Sequence, residues 1–397
     1  MKNVCGPAVR GEDFRFRDDV VAEILSQLDA GNSVLLIGLR RIGKTSVMFG
    51  VEDRAPTTWT VSRHNVQDMR LPSDFFGLLL KSLPKGALES VISNWRKAKT
   101  IPSRVISTIQ TRLRKLGGGG VSVEFDTSVV DYWEPLTQGI ELALANAQYP
   151  IVIILDEFPL FIEHLLKSNT SSVQVEAMLG QLKAWREQYS NFRLLIGGSI
   201  SLDRVLTKHQ ISASTVGDLS RYFLPPLEHT QAKALLQELA HSHKLAWFND
   251  DLIEESLTLI EDYYPFFLQA FFLQVRQRGK PDAPDLALIF ENHFIPYVRK
   301  GFFEQYLERL RNHYLKAEQE TTRNIFDLIS SREDHRAHYA EISDSVEALQ
   351  QTNAVDLDEL LYDLTGDDFL RLDSRTNEYS FATKLTARWW QLTRGRK

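Results

Sequence analysis

Two clusters of residues in this chain have types and spacing that can do chemistry together. The first is Gly38-Leu39-Arg40-Arg41-Ile42-Gly43-Lys44-Thr45, followed by Ser46. It reads G-x-x-x-x-G-K-T, the phosphate-binding pattern, between an apolar run (Val34 to Ile37) and residues Ser46 to Val51 that can continue as a helix. Gly38 and Gly43 let the backbone turn back so that its N–H groups converge, and with the helix N-terminus they make a positive cradle for phosphates. In such a loop Lys44 reaches the β- and γ-phosphates and Thr45 holds Mg²⁺ by its hydroxyl. The second cluster is Asp156-Glu157, at the end of the continuous apolar run Ile151 to Leu155. Such a run is expected of a strand buried on both faces. An acid at the C-terminal end of a parallel strand lands beside the phosphate loop, because these sheets bind ligands at that edge. Asp156 is therefore expected to bind Mg²⁺, directly or through water, and Glu157 to orient and polarise the attacking water. A helix N-cap after a strand would favour acids too; the phosphate loop upstream decides for the catalytic reading.

Two further residues lie where a phosphate sensor belongs. Phe192 to Ile196 reads as a strand ending in Gly197-Gly198-Ser199, so Ser199 either senses the γ-phosphate or completes a Gly-Gly-Ser turn. Arg221 precedes a short strand, Tyr222 to Leu224, and is either a phosphate-sensing arginine or a surface arginine.

The elements that must position these groups follow from periodicity. Asp18 to Leu28 places Val20, Val21, Ile24, Leu25 and Leu28 on one helical face. Thr57 to Val61 is a plausible strand, Pro72 to Leu116 is helical with breaks near Pro84 and Pro102, Gly117 to Gly120 is a break, Val121 to Phe125 alternates like a strand, and Asp131 to Ala147 is a helix. Val173 to Tyr189 is the helix before the Ser199 strand. After Pro226 no convincing parallel strand remains. Glu228 to Ala240, Asp250 to Ile260, Pro265 to Arg278 and Leu286 to Arg299 have helical spacing, with Gly301 near the end of that domain and Phe302 to Lys316 as a connecting helix. Thr321 to Ser331, His338 to Gln350 and Asp356 to Thr365 are three helices; Phe369 to Leu372 and Tyr379 to Ala382 are two strands, and Leu385 to Leu392 closes the chain. Three helices and a two-stranded wing make a winged helix-turn-helix domain.

Phosphate loop GLRRIGKTS, strand ends LDEFP and GGS, the segment PPLEHTQAKALL and Tyr264-Pro265 occur in that order. In this the chain resembles the prokaryotic STAND ATPases, in particular the archaeal ATPase and MNS-type clades, relatives of AAA+ and of NACHT and AP-ATPases, over nearly its whole length. The resemblance implies an α/β fold: a P-loop parallel sheet ordered 5-1-4-3-2, a helical lid and a winged helix that closes over the nucleotide. It implies ATP/ADP and Mg²⁺ as cofactors, with Pro265 near the adenine or ribose. It divides the chain into an ATPase domain (1–226, with a helical insert at about 72–116), a lid (227–300), a connecting helix (301–316) and a winged helix (317–397). Such proteins resemble switches: the γ-phosphate and Mg²⁺ hold elements together, and hydrolysis releases them. A protein partner and ATP-dependent self-association belong to the same picture.

Composition bounds the alternatives. The 397 residues are 43% hydrophobic and 25% charged, with a net charge of −6, so no global drive toward nucleic acid or anionic membranes is expected. One cysteine, Cys5, excludes an internal disulfide; no signal peptide or membrane span is expected, and a cytoplasmic location follows. Charge is unevenly spread. From Lys81 to Leu116 nine Lys and Arg face a single acid, Glu89, a net of +8 that marks an anionic partner, nucleic acid included, or a solvated helical hairpin. From Ala317 to Lys397 ten basic residues meet sixteen acids, and the third helix there carries Asp356, Asp358, Glu359 and Asp363 without Lys or Arg. That composition opposes DNA reading by the winged helix, so a slow-turnover switch is favoured over a DNA-acting AAA+-like ATPase. A scaffold that binds nucleotide without hydrolysis is disfavoured because Lys44 and Glu157 are both present.

Overall fold

The computed structural model describes residues 1–84, 86–98, 103, 106–107, 109–111, 133–168, 170–279, 285–348 and 355–394. Its contacts divide the chain into two units: Arg17–Ile37 with Lys44–Leu224, and Met1–Phe16 with Gly38–Gly43 and Pro225–Lys397.

The first unit is built on a five-stranded sheet. Its strands are β1 (Val34–Ile37), β2 (Thr60–Asn65), β3 (Ile151–Asp156), β4 (Phe192–Gly197) and β5 (Ser220–Phe223). They run in the order β2-β3-β4-β1-β5, all pairs parallel. Read from the other edge this is 5-1-4-3-2, the order the resemblance implies. Every residue of β3 and β4 is buried, including Arg193 in β4 and Asp156 at the end of β3, as expected of strands whose faces are both covered by helices. Register brings the functional ends level: Leu36 pairs with Gly197, and Asn65 with Asp156.

The helices have local causes. α1 (Asp18–Asp29) buries Val20, Val21, Ile24 and Leu28 and carries Asp18 and Asp19 at its positive end. α2 (Lys44–Arg54) follows β1 directly. α3 (Pro72–Lys81) starts with proline in its first turn, and its Phe75 and Phe76 pack on Phe158, Phe161 and Trp185. The chain breaks near Pro84 before α4 (Ala87–Ala98), and α5 (Trp133–Asn146) follows; the expected glycine break at 117–120 and strand at 121–125 lie outside the described residues. Beyond β3 come α6 (Phe158–Lys167) and α7 (Ser172–Gln188), the latter opened by a Ser171/Gln174 capping box, and beyond β4 comes α8 (Leu202–Lys208).

The second unit carries α9 (His229–Ser242), α10 (Asp250–Ile260) and α11 (Pro265–Arg278). A helical run over 286–313 then consists of α12 (Leu286–Ile289), α13 (Ile295–Val298) and α14 (Glu304–His313), joined by π turns at Phe290–Phe294 and Arg299–Phe303. Gly301 lies in the second π turn, within this helical run. α15 (Lys316–Ser331), β6 (Arg336–His338), α16 (Tyr339–Glu347), α17 (Leu357–Gly366), β7 (Leu370–Asp373), β8 (Glu378–Phe381) and α18 (Lys384–Arg394) complete the chain. These are the elements expected of the winged segment, with one addition. β6 joins the two expected strands in an antiparallel sheet ordered β6-β8-β7. α14 is pinned to this segment by Tyr306 donating to Phe369 O (2.9 Å) and by Arg309 donating to Asp367 O (2.8 Å).

Candidate functional site

The phosphate loop begins where β1 stops. Gly38 and Gly43 have φ of 156° and 110°, values that favour glycine, and Arg41 adopts φ 66°. Ile42 N donates to Leu39 O at 3.2 Å, closing a tight turn. α2 starts at Lys44, which is only 8% exposed. Thr45 is half-buried and Ser46 buried.

β3 delivers the acidic pair. Asp156 is 4% exposed and accepts a hydrogen bond from Thr45 Oγ1 at 2.9 Å. This joins the two sequence clusters. Burial pushes the Asp156 carboxyl above the usual carboxylate range; the Thr45 hydrogen bond opposes the shift, Glu157 adds to it, and Arg63 and Lys44 oppose it. Hydroxyl and carboxylate oxygens are hard donors, and one or two carboxylates with phosphates are the ligands Mg²⁺ takes. The pair fits that ion. Among the described residues no group of three or more His, Cys, Asp or Glu could hold a metal by itself.

Glu157 is the residue before α6 and has φ 58°, in the left-handed region. Its Oε2 accepts from Ser199 N at 2.9 Å and from Ser199 Oγ at 2.8 Å. The close approach depends on Gly198: a Cβ there would come within 2.5 Å of Pro159 Cδ. The Gly-Gly-Ser turn thus has a packing reason, and Ser199 serves Glu157 through both its backbone and its side chain.

Two arginines turn away from the strand tips, Arg221 as the surface arginine that is one of its two sequence readings. Arg221 pairs with Leu35 in mid-strand and donates to Asp203 Oδ1 at 2.7 Å, so it is held by a surface carboxylate rather than at the strand tips. Arg41 belongs to the phosphate loop in sequence, but its guanidinium donates to Gly301 O (3.1 Å) and Gly6 O (3.5 Å) and lies 4.8 Å from the Phe266 ring centroid. Pro265 is the first residue of α11, in the turn that presents Phe266. Arg40 is exposed, and Leu39 and Ile42 are buried.

One neighbour of the site escaped the sequence reading. Arg63, in β2 opposite Ile154, acts on Asp156 electrostatically, lies 4.1 Å from the Phe49 ring centroid and pairs with Glu52 at 3.7 Å. Its signal was a cation inside the strand segment TVSRHN.

Sheet order, loop and strand-end acids together define a P-loop α/β fold. Among solved structures, the Walker-type ATPase PABY2304 of Pyrococcus abyssi matches with a TM-score of 0.63 at 16% identity, over 98% of this chain and 100% of that one. At that identity the likeness shows a shared fold along the full length. The ORC2 protein of Aeropyrum pernix, in ADPNP–ADP complexes, matches at TM-score 0.49 and 13% identity (100% of this chain, 98% of that). A STAND protein with a tetratricopeptide repeat sensor, PH0952 from Pyrococcus horikoshii, matches at TM-score 0.36 and 14% identity (97% of this chain, 43% of that). No family model and no curated protein matches the chain. Among the described residues no helix is long and apolar enough to cross a membrane.

Proposed function

We propose that the protein binds and hydrolyses Mg·ATP and works as a STAND-like switch, coupling its nucleotide state to a partner. The observation that carries the reading is the Thr45–Asp156 hydrogen bond, which puts the loop hydroxyl and the strand-end carboxylate in one place. Backbone N–H groups of Gly38 to Gly43, with Lys44 at the helix N-terminus, take the phosphates, and Ser46 extends that first turn. Thr45 and Asp156 hold Mg²⁺, which supplies charge neutralisation at the phosphate oxygens. Glu157, kept in place by Ser199, orients the water. ATP and ADP occupy the same loop, and Pro265 belongs to the lid side of the base or ribose.

The test is binding and turnover in two variants. Lys44→Ala is expected to weaken or abolish Mg·ATP binding measured by calorimetry; unchanged binding would sink the assignment. Glu157→Gln is expected to bind ATP normally and to hydrolyse it more slowly, by on the order of a hundredfold or more. Turnover within a few-fold of wild type would place water activation elsewhere.

Contact with nucleic acid is a second reading, favoured at one place. On α4 the exposed Arg96 and Lys97 line an open groove of about 360 Å³ with Glu89, Ile92, Ser93 and Gln110, inside the +8 segment. α17 is a poor reader of bases. Asp356 caps it, Asp358 accepts from Tyr339 OH at 2.8 Å, and Tyr362 stands 68% exposed beside these acids.

A further inference from the structure

Arg41 is the loop residue whose geometry the phosphate-binding pattern does not call for. A non-glycine residue at φ 66° is in the left-handed region, which is unfavourable for a side chain with a Cβ. Glycine would sit there without that cost. Strain of this kind persists where surrounding contacts over-determine the residue.

The contacts are specific, and all lie within the second unit. Nε donates to Gly301 O at 3.1 Å, Nη1 to Gly6 O at 3.5 Å, and the guanidinium carbon lies 4.8 Å from the Phe266 ring centroid. A Cβ on Gly301 would meet Phe266 Cζ at 3.7 Å, so carbonyl and ring form one docking spot. The carbonyl belongs to the π turn Arg299–Phe303, and Phe266 is in the first turn of α11. Gly6 sits on the N-terminal segment, which is itself tied to α11 through Val4 N and Asn3 Nδ2 donating to Gln269 (2.6 and 2.9 Å). The Arg41 charge also reaches Tyr297 on α13. A planar fork with a flat face meets a carbonyl and a ring at once, a pairing that lysine cannot reproduce.

We propose that Arg41 is a positioning residue that ties the phosphate loop to the lid, so that ordering of the loop by a nucleotide is passed to α11 and to the π turn at Gly301. This rests on the ATP-binding reading for its nucleotide half. The phosphate cradle itself uses backbone N–H groups and Lys44, which leaves the Arg41 side chain for the lid.

Hydrogen exchange followed by mass spectrometry tests it, on full-length wild type, Arg41→Ala, Arg41→Lys and Phe266→Leu, with and without Mg·ATP. Without nucleotide, peptides covering 262–272 and 297–305 are expected to exchange at least about twofold faster in all three variants, and unchanged exchange overturns the tie. At saturating Mg·ATP, most of the ATP-induced protection of those peptides is expected to be lost in the Arg41 variants. Retained protection overturns the coupling. A drop in affinity as large as that of Lys44→Ala also overturns it, by making Arg41 a phosphate ligand. A wild type that binds no ATP sinks the ATP reading and the nucleotide half of the proposal, while the nucleotide-free comparison still decides whether Arg41 holds the lid.

Discussion

At the scale of single residues, Ser199 shows how a strand-end position can be read while its partner is not. Its place after two glycines left two readings open, a γ-phosphate contact or a Gly-Gly-Ser turn. Its hydroxyl donates to Glu157, which Gly198 lets approach. Ser199→Ala is therefore expected to lower the hydrolysis rate by roughly tenfold, the weight of one charge-assisted hydrogen bond, with the ratio of ATP to ADP affinity unchanged. A selective loss of ATP affinity, with ADP unaffected, would return Ser199 to the phosphate. Lys44, Thr45 and Asp156 were legible because a local motif defines their backbone: a glycine-framed loop and a strand end leave few places for the side chains. The Glu157–Ser199 pair, the Arg63 charge and the Asp203 partner of Arg221 join positions far apart in the chain. Side-chain direction across such distances is not encoded in a short pattern.

At the scale of elements, the turn between α10 and α11 carries a titratable latch. Glu261 pairs with Lys384, Asp262 Oδ2 accepts from Leu385 N at 2.9 Å, and Tyr264 OH accepts from Arg371 at 2.9 Å. Three polar contacts, from Glu261, Asp262 and Tyr264, thus join this turn to α18 and β7. Burial pushes the Asp262 carboxyl up to about 6; the Leu385 N–H, Arg371 and Lys384 oppose the shift and Glu261 adds to it. The folded state therefore holds this proton more tightly than the unfolded chain, whose Asp titrates near 3.9. The stabilisation is complete below about pH 4 and is lost as pH rises through about 6, a change of about 3 kcal/mol for a shift of this size. Asp262→Asn keeps an oxygen for Leu385 N and removes the charge. It is expected to raise the urea midpoint at pH 8 and to change it little at pH 4; a wild-type-to-variant difference that does not vary with pH would dispose of the latch as a titrating group. Most of these elements were readable from apolar spacing. The exceptions are instructive: β6 has only three residues, too few for a period to show, and Gly301 lies within the helical run, in a π turn.

At the scale of the molecule, parallel order followed from buried apolar runs ending in functional residues, and the full 5-1-4-3-2 arrangement from resemblance. Charge distribution adds what neither supplies. A chain of net −6 concentrates +8 between Lys81 and Leu116 and holds −6 from Ala317 onward. An acidic helix has no partner in a major groove, whereas basic side chains bind phosphates with little regard to sequence. Duplex binding is therefore expected from the basic segment and not from the acidic C-terminal segment. Two full-length variants decide this. One changes Arg96, Lys97, Arg112, Arg114 and Lys115 to Ser; the other changes Arg336 and Arg375, cations in β6 and between β7 and β8, to Ser. Titration of a duplex at two salt concentrations is expected to show weak binding that falls steeply with salt in wild type and in the second variant. In the first, loss is expected, with a log–log salt slope reduced by roughly 0.9 for each phosphate contact removed. The opposite pattern would move the C-terminal segment to the nucleic acid and bring the DNA-acting reading forward. No binding by wild type would rule out nucleic acid and leave an acidic protein surface as the ligand of the groove between Glu89 and Gln110.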